Sequence, residues 1–134
     1  MFNGLWFKFG DYEIPKKYII QETYDTAPSQ IQDSGSFTNG NGETERETLE
    51  HTKSEVKFTL KRMSEARMIP IIDGLKRNFI NPSQRDAYCT YYDMWEHDYK
   101  TVHMYIDPSL RFVLREETKG KLKVGQTQML FVEY

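Results

Sequence analysis

The side chains of this 134-residue chain whose types and spacing suggest chemistry are few. They are Cys89, a Glu96-His97-Asp98 cluster followed by His103, the acids Glu43, Glu45 and Glu47, and aromatic residues from Tyr88 to Tyr99. A nucleophilic thiol needs a positioned histidine base. Cys89, mid-strand between Tyr88 and Thr90, reads instead as a packed thiol. His97 and His103 would face each other across an antiparallel pair with a carboxylate beside them, the nearest approach to a metal constellation. No HExxH, CxxC or EF-hand spacing accompanies them, and the cluster reads first as a polar turn between Trp95 and Tyr99. Nothing selects a pair of carboxylates for glycoside hydrolysis. Gly40-Asn41-Gly42 lacks the following Gly or Gly-Lys-Ser/Thr of a phosphate-cradling loop. The aromatics Tyr88, Tyr91, Tyr92, Trp95 and Tyr99 could stack on sugar or single-stranded nucleic acid, but read first as core and interface. No catalytic residue, cofactor or metal ion is therefore expected, and the chain does not read as an enzyme.

The elements that would position these residues are mostly strands. Leu5, Phe7 and Phe9 alternate with Trp6 and Lys8, and Gly10-Asp11 is a turn pair, so GLWFKFGDYEIP predicts a small hairpin. Tyr18 to Thr23 is a second extended run. In Ser54 to Lys61, Val56, Phe58 and Leu60 face one way and Lys57, Thr59 and Lys61 the other, a strand with one buried face. Ser64 to Asn78 is the one helix candidate, with Ser64 as N-cap and a stripe of Met68, Ile72, Leu75 and Phe79. Pro70 implies a kink, or a regular helix beginning near Ile69. Two rich strands, Ala87 to Trp95 and Thr101 to Ile106, join through Glu96-His97-Asp98. Arg111–Arg115 and a basic turn at Lys119-Gly120-Lys121 precede a last strand from Gln126 to Tyr134. The pattern is a single domain over 1–134, mainly β with one flanking α-helix: a β-sandwich or incipient barrel. Its expected core is Phe7, Phe9, Ile14, Ile19, Val56, Phe58, Leu60, Ile72, Leu75, Tyr91, Val102, Met104, Ile106, Met129 and Phe131.

Charge divides the chain unevenly. Residues 23–52 hold six acids against Arg46 alone, a net of −5, so the rest carries +3 within an overall −2. That stretch has five apolar side chains (Tyr24, Ala27, Ile31, Phe37 and Leu49) and is rich in Gly, Asn, Ser and Thr. It reads as a polar, acidic extended arm, and long polar insertions in small domains are usually functional or ordered by a partner. Asn39-Gly40-Asn41-Gly42 favours positive φ and a hairpin tip. Thr44 to Thr52 is strand-like, with Glu43, Glu45 and Glu47 on one face, so 36–61 reads as a long strand leaving a glycine-rich turn. Such an acidic face calls for solvent or a partner surface. The near-neutral total gives no basic field for nucleic acid. No window approaches 18 apolar residues, so no membrane-spanning helix is expected. MFNGLWFKFGDYEIP lacks the basic, apolar, small-residue order of a cleaved signal peptide.

The order of these motifs resembles a small family of tailed-phage and prophage proteins encoded with tail-morphogenesis genes. The likeness runs from the hairpin ending Ile14-Pro15, through Thr38-Asn39-Gly40-Asn41-Gly42 and Glu55-Val56-Lys57-Phe58-Thr59-Leu60, to the closing Phe131-Val132-Glu133-Tyr134. Pro70 and the aromatic segment 88–99 depart from it. The chain is also similar to the tail-tube fold, in which a β-sandwich with one helix sends a long hairpin to its neighbours and six protomers form a ring. The resemblance implies a structural protein of the virion tail, assembled in the host bacterial cytoplasm. Its partners would be copies of itself and other tail proteins, with DNA passing through without specific binding. Asn39, Gly40, Asn41, Gly42, Glu43, Glu45, Arg46 and Glu47 would then be the assembly or lumen arm, because acidic groups let DNA slide where basic ones hold it. A β-sandwich module binding carbohydrate or a receptor at the tail tip, through Trp95 and Tyr99, is the alternative.

Overall fold

Alternating apolar residues build most of this protein, and the computed structural model shows how the strands combine. It describes residues 1–30, 33–38, 44–48 and 52–134, with side chains over 1–28 and 52–134. β1 (Phe7–Phe9) and β2 (Tyr12–Glu13) form the opening hairpin. Gly10 turns it at φ 60°, a conformation glycine adopts without the steric cost of a Cβ. After a 3-10 turn at Lys16–Tyr18 come β3 (Ile19–Gln30), β4 (Asp33–Thr38), β5 (Thr44–Thr48), β6 (Lys53–Leu60) and the short β7 (Met63–Ser64). The helix α1 (Glu65–Arg77) precedes β8 (Asp86–Asp93), β9 (Asp98–Ile106), β10 (Leu114–Thr118), β11 (Lys121–Val124) and β12 (Thr127–Glu133). The protein is mainly β with one helix: an antiparallel seven-stranded sheet in the order β2-β1-β8-β9-β12-β6-β3, a three-stranded sheet β10-β11-β7, and the β4–β5 pair.

The large sheet curls without closing. Neighbouring strands lie about 4.8 Å apart, so a flat sheet would separate β1 from β6, four positions away, by about 19 Å. Yet the rings of Phe7 and Phe58 are 5.9 Å apart, and Phe131 of β12 lies 4.5 Å from Phe7. The inner face wraps around this aromatic cluster. Inside the curl the Tyr91 hydroxyl donates to Ser54 Oγ at 2.7 Å, while the Ser54 N–H donates to Glu133 Oε1, so the buried polar atoms are satisfied. The expected core residues are buried except Ile72, which is partly buried against the cluster.

The helix accounts for that exception. Met68, Ile71 and Leu75 form its buried stripe together with Gly74. Gly74 lies directly on the Tyr12 ring: a Cβ there would come within 2.5 Å of Tyr12 Cδ1. This close approach turns the helix so that Ile71, not Ile72, points fully inward. The helix begins at Glu65 and runs through Pro70, so its regular part does not wait for Ile69. Proline deprives the Ala66 carbonyl of its i+4 donor, but Ala66 and Pro70 are both exposed, so the carbonyl faces solvent rather than the core. Ser64 is the N-cap residue, without a side-chain capping bond.

The polar stretch divides. Residues up to Gln30 belong to β3 and pair with β6 through Asp25↔Lys57, Thr26↔Val56 and Gln30↔Lys53. Beyond them β4 and β5 form a separate antiparallel ladder, with Gly35↔Glu47, Ser36↔Arg46, Phe37↔Glu45 and Thr38↔Thr44. The long strand expected over 36–61 is therefore broken: 36–38 belong to β4, and β5 ends before β6 begins. Asn39, Gly40, Asn41, Gly42 and Glu43, the expected tip, lie outside the described residues.

Candidate functional site

An aromatic surface feature lies at the seam where the curled sheet fails to close, between β1 and β3. Its geometry originates in a bulge. Ile20 pairs with Thr59 and Asp25 with Lys57, so β3 spends four residues, Gln21 to Tyr24, where β6 spends one. Bulges of this kind bend a strand and re-aim its side chains. Thr23 stabilises the bulge: its hydroxyl donates to the Ile20 carbonyl at 2.6 Å and accepts the Thr59 N–H at 2.9 Å. The following residue, Tyr24, is thereby carried across the seam. Its ring stacks on Phe58 and meets Trp6 edge-on at 5.1 Å, and its hydroxyl donates to the Trp6 carbonyl. Burial pushes the Tyr24 phenol well above the ordinary tyrosine range, so it remains a donor.

A second clamp fixes the chain before β1. The Tyr99 hydroxyl accepts the Asn3 N–H at 3.1 Å, and its own proton lies between Asn3 Oδ1 at 2.7 Å and the Leu5 carbonyl at 2.9 Å. Phe2 is thereby held over Trp6, Tyr92 and Tyr99, with ring centroids 5.4, 5.6 and 6.5 Å away. Between these clamps opens a cleft of about 390 Å³ lined by Phe2, Trp6, Tyr24, Thr26, Tyr92 and Met94. Among the described residues, Thr26 is its one non-aromatic polar lining residue. Trp95, 79% exposed, stands beside Met94 in the β8–β9 turn. The backbone N–H of Trp95 donates to Asp93 Oδ1, which fixes the turn. Glu96 and Asp98 are exposed at the same end, Asp98 3.7 Å from the Met1 ammonium.

The two aromatics expected as a contact patch thus take different parts. Tyr99 is half-buried and structural, and Trp95 projects into solvent without stacking on it. Tyr91 belongs to the core, and Tyr88 is exposed. Sequence reading missed Phe2, Trp6, Tyr24 and Met94. The only available signal was Thr23-Tyr24 at the end of an extended run, which does not announce a bulge. Of the expected arm, Glu45, Arg46 and Glu47 lie in β5 and the other residues outside the description.

The expected approach of His97 to His103 does not occur. β8 and β9 pair in the register Tyr88↔His103 and Asp93↔Asp98, which leaves His97 in the turn at φ 55°. His103 instead binds the buried Asp86, Nε2 to Oδ2 at 2.6 Å, and stacks between Tyr88 and Tyr134 at 5.1 and 4.4 Å. Burial alone would raise the Asp86 carboxyl. The Asn81 N–H, at 2.8 Å from Oδ1, and the His103 ring outweigh it and hold the group below the usual carboxylate range. Among the described residues no group of three His, Cys, Asp or Glu side chains is placed to hold a metal ion. Cys89 is buried, and burial pushes its thiol upward, so it is an inert packed side chain.

Among the described residues no helix is long and apolar enough to cross a membrane. Comparison with curated proteins and with solved structures gives no match. A protein family matches residues 1–134, the whole chain, and the protein belongs to it: the family of unknown function DUF6711.

Proposed function

We propose that this chain is a non-catalytic assembly protein of a tailed-bacteriophage tail, a ring component at the tube, tube end or hub that docks to copies of itself and to other tail proteins. The observation that carries this reading is apolar surface left uncovered in two separate places on one small domain. One is the aromatic cleft with Trp95. The other is the Phe112-Val113-Leu114 run, each residue of which is exposed. Contiguous exposed apolar surface marks interaction sites, and two unlike patches suit the head-to-tail contacts from which rings are built. The β4–β5 ladder, polar in sequence and separate from the main sheet, is of the kind a neighbouring sheet edge can order. The resemblance of the motif order to tail proteins supports the place of action in this reading: the virion tail, after assembly in the host cytoplasm, with DNA passing a lumen that does not bind it tightly. Mass spectrometry of purified phage particles together with cryo-EM of the tail tests the reading. The chain is expected in stoichiometric amounts as ring density, and its absence from particles would sink the proposal.

The exposure of Trp95 favours one alternative, a carbohydrate- or receptor-binding module at the tail tip. Sugar sites combine aromatic platforms with several polar groups aimed at hydroxyls. In the cleft, the Tyr24 hydroxyl is already committed to the Trp6 carbonyl. Loss of glycan or cell-wall binding in Trp95→Ala would establish the alternative, and unchanged binding would remove it.

A further inference from the structure

We propose that the aromatic cleft of one copy receives the Arg111-Phe112-Val113-Leu114-Arg115 segment of the next, so that copies join head to tail. This inference rests on the assembly reading above and names its contact. The first support is placement. The cleft lies at the β8–β9 turn, whereas the segment follows the opposite end of β9. Eight residue steps along β9 separate Asp98 from Ile106, about 26 Å of strand. One chain cannot join its own two surfaces, but two copies can, and the contact pairs unlike patches.

The second support is the form of the segment. All five residues are exposed, Val113 at 64% and Leu114 at 59%. The segment is nevertheless held: the Gly125 N–H donates to the Val113 carbonyl at 2.8 Å, and Leu114 pairs with Val124. Phe112 lines a hollow of about 270 Å³ with Leu75, Phe79 and Leu110. A fixed, extended apolar ridge loses little entropy on docking. Third, the charges are complementary. Arg111 and Arg115 flank the ridge, and on its other side Arg62, Arg115 and Lys123 outnumber Glu117 in a second hollow that Val113 lines. Glu96 and Asp98 stand at the turn that borders the cleft. Opposite charges at the rim of an apolar contact fix its register and direction.

Sedimentation velocity and mass photometry on the full chain test this, with Met94→Lys altering the cleft and Val113→Glu the ridge. Both positions are exposed, and unchanged melting curves confirm folding. Wild-type chain is expected to self-associate with concentration, more weakly in high salt. Each variant alone is expected to raise the apparent dissociation constant at least about tenfold. Mixed together, the variants are expected to form a 1:1 heterodimer and nothing larger, because one intact cleft and one intact ridge remain between them. Variants that assemble as the wild type does overturn the contact and leave the assembly reading standing. A mixture that stays monomeric overturns the head-to-tail pairing. A wild-type chain that is monomeric alone, with its cleft covered by another protein in particles, assigns the cleft to that protein and overturns docking between copies.

Discussion

Replacing Gly74 by alanine sets two effects of known size against each other at one atom. In a helix interior alanine is favoured over glycine by about 1 kcal/mol, so an uncovered helix would gain stability. The added Cβ would lie 2.5, 2.6 and 2.6 Å from Cδ1, Cε1 and Cγ of Tyr12. These atoms include the near side of a ring, which cannot swing away without leaving the hairpin, so the helix or β2 must shift. Overpacking of this kind costs about 1–3 kcal/mol. Three contacts this short place Gly74→Ala toward the upper end, for a net loss of about 2 kcal/mol. In a chain of this length each kcal/mol moves the melting temperature by about 4 °C. Calorimetry or denaturant titration should therefore show a fall of about 8 °C. The decisive comparison is made in a Tyr12→Ala background, where the ring is gone and only the propensity gain remains. There the same substitution should stabilise by about 0.5–1 kcal/mol. A rise in melting temperature for Gly74→Ala alone would show that the helix does not rest on the β1–β2 hairpin.

Tyr24→Phe should cost about 1–2 kcal/mol, read by urea titration, because it leaves the Trp6 carbonyl at the seam without its donor. Asp86→Asn should cost about 2–3 kcal/mol by losing the charge-assisted bond to His103. The sign of the pH effect follows from the lowered carboxyl of Asp86. Its contribution is complete above the unfolded value of about 3.9 and is lost as pH falls through the still lower folded value. Urea midpoints should therefore drop between those limits in wild type, and less steeply in Asp86→Asn. A parallel slope would reject the assignment. Cys89 should resist thiol alkylation in the native protein and react at the unfolded rate in denaturant, and rapid native labelling would contradict its burial.

The strands that became the main sheet were legible because their inward side alternates in period two. Val56, Phe58 and Leu60 are buried as alternation requires, and so are Phe7 with Phe9 and Met129 with Phe131. Less legible was whatever depends on two segments meeting. Ile71 replaces Ile72 in the core because of a contact between Gly74 and Tyr12, which are 62 positions apart in the sequence. The strand Lys121–Val124, of which only Lys121 falls in the expected basic turn, is hard to predict because the Lys-Leu-Lys-Val run buries Val124 alone and shows half an alternation. The clearest failure concerns the histidines. The turn falls at residues 94–97 rather than around residue 100, so His97 lies within it and His103 faces Tyr88. The carboxylate beside it is Asp86, which sequence reading did not single out.

The seam explains why the candidate site is apolar. Closing a sheet into a barrel requires its edge strands to pair along their length. Here β3 interrupts its own ladder with the Gln21–Tyr24 bulge, and one tyrosine hydroxyl on the Trp6 carbonyl bridges the seam at that point. The clamps that hold the seam use the polar ends of Tyr24 and Tyr99 and bring their rings against Trp6 and Phe2. What remains for a partner is aromatic and thioether surface, which contributes about 25 cal/mol for each Å² it buries. Attraction at such a site comes from area, and selectivity must come from its rim. Neutralising Glu96 and Asp98 together should therefore strip the salt dependence from docking while leaving a weaker apolar contact. Met94→Lys should remove the contact itself. An association that lost neither its strength nor its salt dependence in the two rim substitutions would place the recognised surface elsewhere on the chain.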